Sequence, residues 1–352
     1  MTNSQKPIVT GLCAFGMSGQ VFHAPFLNLL DEFDFRAVVE RHDPKAAERY
    51  PGVRSYKSVS EMLKDPELEL VIINTPNVTH YEYAREALLA GKHVVVEKPF
   101  TATVSQAREL MDLAQKQQRS LIVFQNRRWD SDFQAVKQVV EKHLLGDLIE
   151  AEFHYDRYQP GLSYKKHKEI AQAGTGTLHD LGPHIIDQAI CLFGKPEKVF
   201  ARIQTNRPEA SVNDYLNIVL LYPSLTVTLK SSLLVREPIP AFVLHGVRGS
   251  FLKSRSDIQE VTLQGGKQPT HTGWGEEPAA EAGLLHIMTE DGKEIRERFP
   301  SPAGCYQEFF KGVYRHIRNG QPSPVALQDA LLNMRIIDAA LESSREQQVI
   351  SL

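Results

Sequence analysis

Short apolar runs punctuate the first third of the chain, at residues 7–13, 35–39, 70–73, 93–96 and 121–124. Helical patterns separate them: residues 18–30, with Pro25 near a turn or kink, then 43–50, 59–63, 81–90 with Gly91 as its stop, and 105–116. Continuous apolar runs without in–out alternation mark strands buried on both faces, and helical crossovers between them make the sheet parallel. The pattern predicts a doubly wound α/β domain that ends near Gln125.

The remainder reads differently. A helix at 132–143 precedes longer strand-like stretches at 148–158 and 199–205. Residues 215–222 and 225–233 flank the turn dipeptide Pro223-Ser224, and 241–246 and 249–253 flank Val247-Arg248, so both read as hairpins. Residues 265–283, rich in Gly, Pro, Thr and Glu, read as an irregular loop. Two helices close the chain, at 305–318 and 325–343, split by Asn319-Gly320-Gln321-Pro322. This predicts a second α/β domain with a large, mostly antiparallel open sheet. The division is 1–125 and 126–352, with the last helices free to pack back on the first domain.

Composition narrows the class. The chain has 352 residues, enough for two domains at roughly 100–200 residues each. Lys plus Arg total 40 against 43 Asp plus Glu, a balance that argues against nucleic-acid partners. The densest basic run, Lys165, Lys166, His167 and Lys168, reads as a solvated loop. No apolar run approaches the roughly 18 residues of a membrane span, and residues 1–6 do not resemble a secretory signal. Cys13, Cys191 and Cys305 are scattered, so neither a disulfide scaffold nor a zinc site is expected, and a cytoplasmic location is.

Candidate chemistry clusters at strand ends. The first run leads into Ala14-Phe15-Gly16-Met17-Ser18-Gly19 and then a helix. A pyrophosphate-binding turn needs glycines for a tight bend, close backbone approach and helix-to-strand packing. Gly16 and Gly19 suit the second and third positions, with Ala14 at the first; an ordinary glycine-rich turn is the alternative. The second run ends at Glu40-Arg41. An acid about 20 residues beyond the glycines can accept from an adenosine ribose diol, whereas a neighbouring arginine can stack on adenine or pair with a 2′-phosphate. A surface pair of charges is the plain alternative.

The run 70–73 leads into Asn74-Thr75-Pro76-Asn77-Val78-Thr79-His80, at the carboxyl edge where such sheets bind ligands. A turn with a helix cap fits the same residues. The run 93–96 ends in Glu97-Lys98-Pro99. Charges straight after a buried strand are costly unless paired or used, and a cis bond at Pro99 would aim Lys98 inward, toward proton transfer. In the second domain, a helix over Asp180, His184 and Asp187 would put all three on one face, with Pro183 in its first turns. A carboxylate four residues from a histidine can orient it, although a capped helix with a buried polar face is also possible. Tyr155, Asp156, Arg157 and Tyr158 either line a substrate pocket or simply alternate along a strand.

Together the glycine turn, the Asn-Thr-Pro-Asn…His loop, Glu97-Lys98-Pro99 and Asp180…His184 resemble the glucose–fructose oxidoreductase / inositol dehydrogenase / MocA family. Phe22-His23-Ala24-Pro25 and Asn126-Arg127-Arg128-Trp129-Asp130 resemble its scyllo-inositol dehydrogenase branch. The resemblance implies an N-terminal Rossmann domain and a C-terminal α/β domain whose open sheet joins copies into a homo-oligomer. It implies NAD or NADP, no metal, and hydride exchange with a secondary alcohol or ketone of a sugar, inositol or related polyol. Phe15, Gly16, Met17, Ser18, Gly19, Glu40, Arg41, Thr75, Pro76, Asn77, His80, Glu97 and Lys98 would hold the cofactor. His184 would be the acid/base, Lys98 would polarise the reacting oxygen, and Asp180 would hold substrate or orient His184. Glu40 tips the expectation slightly toward NAD. Two alternatives share the fold: a redox-assisted NAD-dependent glycosidase, and a non-enzymatic sensor or co-regulator.

Overall fold

The computed structural model describes residues 6–42, 44–163, 169–172 and 174–352; the basic run Lys165, Lys166, His167 and Lys168 lies outside them. The chain divides into two compact units. One comprises Met1–Asn126, Gln259–Trp274 and Cys305–Leu331; the other comprises Arg127–Ile258, Gly275–Gly304 and Leu332–Leu352. Besides the stretch up to Asn126, the first unit takes in Gln259–Trp274 and Cys305–Leu331, the latter holding the first of the two closing helices.

In the first unit, β1 (Ile8–Leu12), β2 (Phe33–Val39), β3 (Arg54–Tyr56), β4 (Leu70–Ile73), β5 (His93–Glu97) and β6 (Leu121–Phe124) form a sheet in the order β3-β2-β1-β4-β5-β6. Every pairing is parallel. Every residue of β1, β4 and β6 is buried, as the unbroken apolar runs require. The strand order reverses between β1 and β4, and a ligand crevice opens at the carboxyl ends of strands at such a point. The helix expected over 18–30 is divided: Gly19–His23 is one π-helical turn, and Ala24–Leu29 continues as α-helix with Pro25 in its first turn. The three-residue β3 escaped the sequence pattern because its residues are mostly exposed and polar.

The late helix Gln307–Asn319 joins this unit through its aromatic side chains. Phe310 stacks on Phe26 at 5.3 Å, and Phe309 meets Phe124 edge-on at 4.8 Å. Arg318 donates to the carbonyls of Lys6 and Pro7 and pairs with Glu69 at 2.8 Å.

In the second unit, the strands are β7 (Leu148–His154), β8 (Lys198–Gln204), β9 (Tyr215–Leu221), β10 (Thr226–Ser232), β11 (Phe242–Gly246), β12 (Gly249–Lys253), β13 (Gly283–Met288), β14 (Glu294–Phe299) and β15 (Ile350–Ser351). Their order is β14-β13-β12-β11-β7-β10-β9-β8-β15, antiparallel except for β7 with β10. Both expected hairpins form, β9 with β10 and β11 with β12. Alternate residues of β9 and β10 are buried, so one face of the sheet carries the core with Phe153, Phe242 and Phe251. β7 stops at His154 rather than at 158, and Tyr158 keeps only an isolated bridge to Leu234. β14 reads Glu-Ile-Arg-Glu-Arg-Phe; its charges hid an edge strand that needs only one neighbour. Among the described residues, no helix is long and apolar enough to cross a membrane.

Candidate active site

The first strand delivers the glycine turn to the switch point. The Asn74 carboxamide clasps Ala14 from both sides: Ala14 N–H donates to Oδ1 at 3.0 Å, and Nδ2 donates to the Ala14 carbonyl at 2.8 Å. Asn74 thus ties the end of β4 to the turn after β1. Gly19 allows this closeness, since a Cβ there would lie 2.5 Å from the Ala14 oxygen and 2.9 Å from Asn74 Nδ2. Gly16 differs: it is exposed, and a Cβ there would meet nothing within 4 Å. Its bare backbone is therefore open to the surroundings of the turn.

Ser18 Oγ donates to Glu97 Oε1 at 2.5 Å, and His23 Nε2 lies 2.9 Å from the same oxygen. His23 is fully buried and packs on Phe124 at 4.4 Å. Burial pushes the Glu97 carboxyl up, but the His23 and Ser18 hydrogen bonds and the Lys98 charge hold it below the ordinary range. Glu97 thereby anchors the glycine turn through its side chain. His80 is a brace of the same kind. Its ring nitrogens lie 2.8 Å from the Pro99 carbonyl and 2.9 Å from the Thr75 carbonyl, and burial pulls its pKa down. Thr75, Pro76 and Asn77 are half-buried to exposed above it, and Lys98 is half-buried at the end of β5, with a cis bond to Pro99.

Glu40 does not present its carboxylate to solvent. It is 7% exposed and accepts from Lys45 N–H at 2.7 Å, Ala46 N–H at 3.2 Å and Ser55 Oγ at 2.5 Å. The side chain expected to take a ribose diol is instead engaged by the start of the short helix Ala46–Arg49. Arg41 is exposed and has no hydrogen bond, ion pair or ring contact among the described residues. Phe15 and Tyr50, 6.2 Å apart edge to face, link the glycine turn to this segment.

In the second unit, Thr177–Asp180 and Gly182–Phe193 are two helices joined at Leu181, whose backbone is itself helical. Pro183 occupies the first turn of the second helix, where a missing N–H costs nothing. Asn213 caps the start: its carbonyl accepts from Thr177 N–H and its Oδ1 from Leu178 N–H, both at 2.8 Å. Asp180 is half-buried and His184 is 6% exposed, with its ring 6.1 Å from that of Tyr155. Asp187 forms a two-pronged pair with Arg128, Nε to Oδ2 and Nη2 to Oδ1, both 2.8 Å. Asn333 Nδ2 donates to the Pro183 carbonyl at 2.8 Å. The guanidiniums of Arg255, Arg127 and Arg157 lie 4.2, 5.4 and 5.4 Å from the Tyr155 ring.

Residues 8–125 match the model of an oxidoreductase family with an NAD-binding Rossmann fold, and residues 137–352 match that family's C-terminal alpha/beta domain. The chain belongs to the GFO/IDH/MocA oxidoreductase family. It is 35% identical over 345 residues to the scyllo-inositol 2-dehydrogenase (NADP(+)) IolW of Bacillus subtilis, covering 98% of this chain and 96% of that protein. A stretch of 201 residues is 30% identical to the D-glucoside 3-dehydrogenase of Escherichia coli, 56% of each chain. A solved structure from Bacteroides fragilis, described no further than as an oxidoreductase, is 46% identical with a TM-score of 0.91, over 98% of this chain and all of that one.

The first unit of this GFO/IDH/MocA oxidoreductase fits a bound NAD or NADP. Open backbone at Gly16 suits a pyrophosphate, and Gly19, Asn74, Glu97 and His80 brace the surrounding turns. Phe15, Met17 and Ser18 lie on the glycine turn itself. His23, Arg128, Asn213 and Asn333 were given no role by the sequence pattern. His23 and Arg128 stand in stretches that carry the family resemblance, and their partners lie 74 and 59 residues away; those of Asn213 and Asn333 lie 35 and 150 residues away, with no local signal to mark them.

Proposed function

We propose that this chain moves a hydride between NAD(P) and a secondary alcohol, or the corresponding ketone, of a sugar, inositol or related polyol. When bound, the nicotinamide supplies the hydride acceptor or donor, which no side chain can. His184 takes the hydroxyl proton in oxidation and returns it in reduction, and Lys98 holds the same oxygen with its ammonium. Asp180 orients His184 or holds a neighbouring hydroxyl.

The mounting of His184 carries this reading. The helix that bears it is held by the Arg128–Asp187 fork and by Asn333 on Pro183, and Tyr155 lies beside the ring. A base placed that firmly keeps the near-attack geometry that proton transfer needs. The names of two relatives, an inositol dehydrogenase and a glucoside dehydrogenase, support the same substrate class. By the same resemblance, the open face of the nine-stranded sheet joins copies of the chain.

The test is His184→Ala, assayed on inositols, aldoses and their keto forms with both cofactors. The variant should bind NAD(P)H like the parent while kcat falls by roughly two to four orders of magnitude, the usual worth of a positioned acid/base. Turnover at the parent rate would overturn the assignment.

A further inference from the structure

At the end of β2 the two residues that could read the adenosine ribose have unequal freedom. The Glu40 carboxylate accepts from two backbone N–H groups and one hydroxyl, and it is buried. To accept from a ribose diol it would have to give up hydrogen bonds that stabilise its charge, and the N–H groups it abandoned would need new partners. Its negative charge is also directed into the protein, toward the donors at Lys45, Ala46 and Ser55. That weakens the repulsion a free carboxylate there would exert on a 2′-phosphate.

Arg41, the next residue, is exposed and has no such commitments among the described residues. A guanidinium presents paired N–H donors whose fork matches a phosphate, and a charged partner makes those bonds stronger than neutral ones. The aromatic contact between Phe15 and Tyr50 ties this segment to the glycine turn, so Arg41 belongs to the frame around the dinucleotide's adenosine end.

We infer that Arg41 makes this enzyme selective for NADP(H) over NAD(H) by taking the 2′-phosphate, while Glu40 is a structural cap with no cofactor contact. The inference needs only that the first unit binds a dinucleotide, and it stands whichever alcohol is oxidised.

Fluorescence titration of the full chain with NADPH and NADH tests it without turnover. NADPH should bind at least about tenfold more tightly, which one charged contact worth about 1.4 kcal/mol supplies. Arg41→Ala should remove that preference and leave the NADH Kd unchanged. In competition, adenosine 2′,5′-bisphosphate should displace NADPH better than adenosine 5′-monophosphate, and added salt should shrink the difference. Glu40→Gln should lower the Tm but leave the ratio of the two Kd values alone. NADH binding as tightly as NADPH, or an unchanged ratio in Arg41→Ala, would overturn the inference. So would a Glu40→Gln protein of parental Tm that binds NADH several-fold more weakly. A His184→Ala enzyme that keeps its activity would bear on the catalytic assignment alone.

Discussion

Two glycines three residues apart do opposite work. Gly19 is required by protein atoms, because the Ala14 carbonyl and the Asn74 amide occupy the space a side chain would need. Gly16 is required by nothing in the protein, since its Cβ position is empty. Gly16→Val should therefore leave folding intact, judged by Tm, and put a branched side chain where a pyrophosphate approaches. The expected loss in NAD(P)H affinity is about tenfold or more, equivalent to about 1.4 kcal/mol. Equal affinity in variant and parent would show that the dinucleotide does not use this turn. Glu40 teaches a related point: residue type and position suit a ribose contact, and its carboxylate accepts from Ala46 N–H and Ser55 Oγ in the fold.

At the scale of elements, β7 shows how a strand sorts its two faces. Ala151 and Phe153 join the core, while Glu152 and His154 point the other way. His154 is nevertheless buried. Its Nε2 lies 2.9 Å from Glu152 and its Nδ1 3.4 Å from Asp156, with Lys230 its register partner on β10. Burial works against the imidazolium, but hydrogen bonds to Asp156 and Glu152 outweigh it and raise the His154 pKa. A raised folded pKa means that protonation stabilises the fold below the ordinary value near 6.5 and that this gain disappears as pH rises through the folded value. His154→Gln should therefore lower Tm most at pH 5.5, and the gap from the parent should close toward pH 9. A gap that is constant across that range would mean that His154 acts by packing alone.

The whole molecule assembles its first unit from three separated stretches of chain, and aromatic residues near the C-terminus complete a core begun by β1 to β6. The other unit keeps one broad sheet face for its core and leaves the opposite face partly uncovered. Phe200 on β8 is 41% exposed there, an apolar group of the kind that copies of a chain cover on association. Light scattering coupled to size exclusion should give a mass of at least two chains, and Phe200→Glu should shift it toward one. A parent protein that elutes as a monomer at micromolar concentration would refute the oligomer.

Period alone carried most of the architecture. Unbroken apolar runs of four to five residues between helical patterns read as strands covered on both faces, and alternating runs with tight turns as hairpins with one face buried. Lys98, Asp180 and His184 also stood out in the chain, because ionisable groups at the end of a buried strand or on one helical face are conspicuous in a linear pattern. Hydrogen-bond partners are not. The partners that Glu40, Asp187 and His80 find in the fold lie 5 to 59 residues away along the chain. A buried polar group must find some partner, and only the tertiary structure decided which one it found.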